Sequence, residues 1–107
     1  MANVLVNVPK KARKGEVVEI KAMILHPMET GFRVGTNGRM IPRNIIERFT
    51  ASWNGEEIFA MQFSPAIAAN PFVSFFALAA ESGHIVLRWS GDHDFLAEET
   101  VAISVVE

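Results

Sequence analysis

Cysteine is absent from the 107-residue chain. That absence excludes disulfides, and it excludes a thiol nucleophile, a persulfide or a cargo held through a mixed disulfide. It also removes cysteine usage as a guide to redox compartment. A basic excess is missing as well: the formal net charge is −2, which argues against a nucleic-acid surface. Residues 58–80 carry no charged side chain, and that run approaches the length of a membrane span. Gln62, Ser64, Pro65, Asn70 and Pro71 interrupt it, however, and two prolines with several polar groups do not make a continuous apolar helix. No membrane association is expected. The opening string MANVLVNVP lacks a basic segment, an apolar stretch and a small-residue cleavage site, so it reads as a strand rather than a leader. Taken alone, that places the chain in the cytoplasm. No nucleophile elbow, phosphate loop or dinucleotide fingerprint occurs.

What is present is strand patterning. The length supports one domain, residues 1–107, with enough core to need no staples. Hydrophobic residues make up 50% and charged residues 21%, which suits a globular chain. Val4, Val6 and Val8 alternate with Asn3 and Asn7, the period of a half-buried strand. Pro9 ends it, Lys10 to Lys14 read as a basic connection, and Val18, Ile20, Ala22 and Ile24 share one face of the next run. Residues 26–44 hold three glycines and two prolines. They form a long connection in which Asn37-Gly38 reads as a two-residue hairpin turn. Phe49, Ala51 and Trp53 then oppose Arg48, Thr50 and Ser52, and Asn54-Gly55 turns the chain into a partner strand over 57–63. Ser64-Pro65 reads as a helix cap, with a short helical turn over Ala66–Ala69 stopped before Pro71. Phe72–Ala79, Ile85–Trp89 and a last strand containing Val101, Ile103 and Val105 complete the pattern. Roughly seven short strands with turn signals every 8–12 residues predict an all-β, immunoglobulin-like β-sandwich. The Cys–Trp–Cys hallmark of antibody domains is missing.

Three strings carry a family resemblance. They are His26-Pro27-Met28-Glu29-Thr30-Gly31, then Ile41-Pro42-Arg43 with Ile45, Ile46, Arg48 and Phe49, and finally Ser64-Pro65-Ala66-Ile67-Ala68-Ala69-Asn70-Pro71-Phe72. In order and spacing, from about Lys14 to the C-terminus, the chain resembles the SoxZ family. The resemblance implies an accessory, non-catalytic subunit of the thiosulfate-oxidation sulfur carrier, without cofactor. Its implied partner is a SoxY-type chain whose Gly-Gly-Cys-Gly-Gly arm bears the sulfur adducts, and the complex meets other Sox enzymes transiently. It further implies a periplasmic location, reached by export with the partner, and a cysteine in some relatives where Ala51 stands here. The missing cysteine fits this division of labour, because any sulfur chemistry must use another chain's thiol.

Several residues are candidates for partner binding. His26, Met28 and Glu29 lie in the first string, which serves equally well as an ordinary turn closed by Gly31. Arg33, Arg39, Arg43 and Arg48 surround the same connection. They can fork onto an anionic cargo or be plain surface charge, and Arg43 is singled out by its Pro-Arg context. Phe72–Ala79 is apolar on both faces, with Phe72, Ser74, Phe76 and Leu78 on one and Val73, Phe75, Ala77 and Ala79 on the other. A two-layer sandwich buries only one face of a sheet, so a partner over Phe72, Phe75 and Phe76 is expected. A covering loop of the same chain is the plainer account. Self-association of the isolated subunit is a further expectation. His26, His84 and His93 match no metal spacing, and Asp92, Asp94, Glu98 and Glu99 read as exposed polar groups.

Two other readings compete. One is an independent immunoglobulin-like ligand-binding or adhesion module without an obligate partner. The other is a metal-dependent redox enzyme using the histidines, in a sandwich similar to small superoxide-reducing proteins; stoichiometric iron or copper would identify it.

Overall fold

Period-two alternation becomes two packed sheets in the computed structural model, which describes residues 3–107. Met1 and Ala2, the start of the expected first strand, lie outside the described residues. Among those described, eight strands form: β1 (Val4–Asn7), β2 (Lys11–Arg13), β3 (Val17–Ile24), β4 (Ile46–Trp53), β5 (Glu56–Gln62), β6 (Phe72–Leu78), β7 (Gly83–Gly91) and β8 (Phe95–Val106). One sheet runs β1-β3-β6 and the other β2-β8-β7-β4-β5. This is the expected all-β, immunoglobulin-like sandwich. The eighth strand is β2, which pairs in parallel with β8. It replaces part of the expected basic connection, and its single inward residue, Ala12, is too little for a period-two signal.

The core is built by alternate residues of both sheets. Val18, Ile20, Ala22, Ile24, Val73 and Phe75 come from the smaller sheet. Phe49, Ala51, Trp53, Ile85, Leu87 and Trp89 face them from the larger. Phe75 stacks on Phe59 with ring centroids 4.5 Å apart, and Phe49 bridges Phe75 and Trp89 at 6.1 and 5.1 Å. Each of these rings removes on the order of 150–250 Å² from water.

The turns follow their chemistry with two corrections. Asn54 and Gly55 both take positive φ, 50° and 85°, between the paired Trp53 and Glu56, as a two-residue hairpin requires. At Asn37-Gly38 only Gly38 is left-handed, with φ 77°. Gly38 N–H reaches Gly35 O at 3.0 Å and Gly35 N–H reaches Arg39 O at 2.8 Å. The loop is therefore three residues long, a turn closed by a left-handed glycine, and Asn37 Oδ1 is free to accept the Arg39 N–H at 3.0 Å. No helix forms over Ala66–Ala69. Ser64 accepts the Ala66 and Ile67 N–H groups, at 3.2 and 3.0 Å, and the chain bends away after that one turn. Four residues before a proline cannot repay helix nucleation, and Asn70, barred from the helical region by Pro71, sits at φ 54°. No helix of the described residues is long and apolar enough to cross a membrane.

Residues 29–44 leave the sandwich as an arm, held by bridges Glu29↔Asn44 and Val34↔Met40. The molecule measures 61 × 20 × 19 Å with a radius of gyration of 16.3 Å. A compact domain of this length has about 13 Å, so the protein is a rod. The arm lies where β3 ends and β4 begins, and the Asn54-Gly55 turn lies at the other end of the strands.

Candidate partner-binding surface

The outer face of β1-β3-β6 is the apolar surface that the alternation leaves uncovered. Register places Leu5 beside Met23 and Met23 beside Phe72, an apolar row across all three strands. At the far end Val17 lies beside Leu78. Leu5, Val17, Phe72, Phe76 and Leu78 are each more than half exposed. Between the apolar ends runs a polar strip. Ser74 Oγ donates to Glu19 Oε2 at 2.7 Å, and Lys21 Nζ stands 3.7 Å from Glu19. Apolar ends with a polar middle can bury area and fix register at once.

The structure divides the sequence candidates. Phe72 and Phe76 lie on this outer face, 59% and 67% exposed, whereas Phe75 points the other way and is 5% exposed. Adjacent strand residues face opposite sides, so Phe75 has no surface to offer a partner and serves the core. His26 and Met28 are also corrected: both are 5% exposed and hold the arm's base. His26 N–H donates to Asn70 Oδ1 at 2.9 Å, and Asn70 N–H returns to His26 O at 2.8 Å. The first and third sequence strings are thus joined by one backbone bond and one bond to the Asn70 side chain. His26 Nδ1 accepts the Met28 N–H at 3.0 Å, and its ring meets Phe95 edge-on at 4.8 Å. Met28, left-handed at φ 51°, places its sulfur 3.3 Å from the Ile46 N–H.

Glu29 and Arg43 remain at the surface as the arm's two ionic clasps. Glu29 accepts Arg33, whose guanidinium holds that carboxylate below its usual pKa. Arg43 forks onto Asp92 with both bonds at 2.8 Å. The arginine hydrogen bonds draw the Asp92 pKa downward. Asp92 also accepts the Ile45 N–H at 3.1 Å, and His93 Nε2 lies 2.9 Å from Arg43 O. Asp92 is therefore no plain exposed acid, and its partner stands 49 positions away, beyond any local pattern. Arg48 makes only a loose pair with Glu57 at 3.8 Å. Leu5, Val17 and Met23 also belong to the face, and only their register with Phe72 and Leu78 reveals it. Ala51, the expected site of a cysteine in relatives, is wholly buried. Among the described residues no three His, Cys, Asp or Glu side chains gather as metal ligands.

Burial of His26 lowers its pKa below the usual 6.5, against a smaller upward pull from Asp92. The unfolded chain then binds the proton first, so stability falls as pH drops through 6.5 toward the folded value. Denaturant midpoints should decline between pH 7.5 and 5.5. His26→Asn, whose Oδ1 can accept the same Met28 N–H, should flatten that decline. An equal slope in the variant would assign the effect to other groups.

Comparison with known proteins places these features. The family model described as sulphur oxidation protein SoxZ matches residues 6–102. No curated protein matches the chain significantly in sequence. Among solved structures, the superoxide reductase (neelaredoxin) from Ignicoccus hospitalis superposes with TM-score 0.74 and 17% identity, covering 96% of this chain and 80% of that one. The sulfur carrier protein SoxY from Chlorobium limicola f thiosulfatophilum gives TM-score 0.69 and 12% identity, covering 97% and 79%. At these identities both likenesses show the fold alone.

Proposed function

The chain belongs to the SoxZ family of sulphur oxidation proteins, and on that premise we propose that it is the non-catalytic subunit of a sulfur-carrier complex in thiosulfate oxidation. It binds and presents a SoxY-type chain whose cysteine carries the sulfur. One observation carries the reading: the outer β1-β3-β6 face exposes Leu5, Val17, Phe72, Phe76 and Leu78 around a polar strip. Such a face suits a second sandwich layer. A partner of the same fold is favoured because the solved SoxY shares this sandwich. The absence of cysteine assigns the nucleophilic thiolate to that partner. The reading carries a periplasmic location with it, reached together with the partner, and transient encounters of the complex with other Sox enzymes.

Co-expression with a SoxY-type chain, followed by size exclusion and intact mass spectrometry, tests this. The expected result is a stable heteromeric complex with sulfur adducts on the partner's cysteine only. A chain that elutes alone, indifferent to the partner, would sink the proposal and leave the independent ligand-binding module.

A further inference from the structure

The rod carries two complementary features at its opposite ends. At one end the arm exposes Phe32, Val34 and Met40 at 79%, 57% and 53%. Residues 29–44 carry Arg33, Arg39 and Arg43 against Glu29, a charge of +2, with Arg33 paired to Glu29 and Arg43 to Asp92. The whole chain is −2, so the remainder is −4. The arm is also preorganised. Its base is clasped by the Arg43–Asp92 fork and its limbs by Ile41 N–H to Arg33 O at 2.8 Å. Anchors presented on a fixed element lose little freedom on binding.

At the other end, a groove of about 420 Å³ opens between the free edges of β5 and β6. Trp53, Ile58, Phe76 and Leu78 line it together with the acids Glu56, Glu57 and Glu81. That volume lies within the range of clefts that bury drug-sized ligands. A cationic apolar knob and an acid-lined apolar groove complement each other in shape and charge.

We infer that the arm of one copy docks in the β5–β6 groove of a second copy, so that the isolated subunit associates head to tail. The contact is heterologous: each copy uses a different surface from its neighbour, which produces open chains rather than closed dimers. Phe76 and Leu78 also belong to the outer face assigned to the heteromeric partner, so the two associations compete for that edge.

Sedimentation velocity on the purified subunit over about 10²-fold in concentration, which brackets weak association, tests this. The wild-type chain should grow past the dimer, and added salt should weaken it. An arm variant, Phe32→Ser with Met40→Ser, and a groove variant, Glu56→Lys with Leu78→Ser, should each weaken self-association at least about tenfold. All four positions are on the surface, and circular dichroism checks that each variant is folded. An equimolar mixture of the two variants should stop at a dimer, because one intact arm meets one intact groove. A monomeric wild-type chain at every concentration would overturn the inference. So would variants that associate like the wild type, or a mixture that stays monomeric. Since no heteromeric partner enters the assay, its failure leaves the sulfur-carrier reading untouched.

Discussion

Replacing Phe72 and Phe76 together by serine should weaken binding of the SoxY-type partner by about 10³-fold while leaving the isolated chain folded. Central aromatic anchors typically cost at least about 2 kcal/mol each on truncation, and about 4 kcal/mol corresponds to nearly three orders of magnitude in affinity. The fold should tolerate the change, because both rings are mostly exposed and surface substitutions fall within about 0.5 kcal/mol. Serine is preferred to glutamate because Glu19 lies directly beside Phe76 in the register, and two like charges there would disturb the sheet itself. Calorimetric titration of the partner, with thermal melts of the free chain, separates the two effects. Retained affinity would remove this face from the partner interface and return attention to the arm.

One residue away, Phe75→Ala should do the reverse. Phe75 is 5% exposed, stacked on Phe59 and edge-on to Phe49, so truncation leaves a cavity between the sheets. Phenylalanine-to-alanine changes in such sites cost about 3–5 kcal/mol, against a total stability of about 5–15 kcal/mol for a domain. The matched Phe76→Ala should stay within about 0.5 kcal/mol. Denaturant unfolding of the pair measures the difference, and similar losses for both would contradict the assigned facing of β6.

These two neighbours also show what was legible in the sequence. Strict alternation in β3, β4 and β7 fixed which of their residues would share a core, and Asn54-Gly55 fixed where β4 turns into β5. Local chemistry sufficed there because each signal lies within two residues of the group it governs. The family resemblance, too, rested on strings readable in order, and the lack of cysteine by itself left these 107 residues without a thiol. For β6 the pattern separated Phe72 and Phe76 from Phe75 but could not say which set faced the core. Both sets are aromatic and apolar, and only packing against Phe49 and Phe59 decides.

The remaining decisions were tertiary. His26 and Met28 look like exposed loop residues until Asn70 and Ile46, 44 and 18 positions away, close around them. Arg43 stands out in sequence only by its Pro-Arg context, and its role appears once the turn after β7 brings Asp92 beneath its fork. The arm's projection, the acid-lined groove between β5 and β6, and the apolar row Leu5–Met23–Phe72 each join segments distant in the chain. Sequence alone set every strand but β2 among those described, and their alternation, because those depend on backbone sterics and neighbouring side chains. The structure alone set the surfaces, because a surface exists only where separate strands are laid side by side.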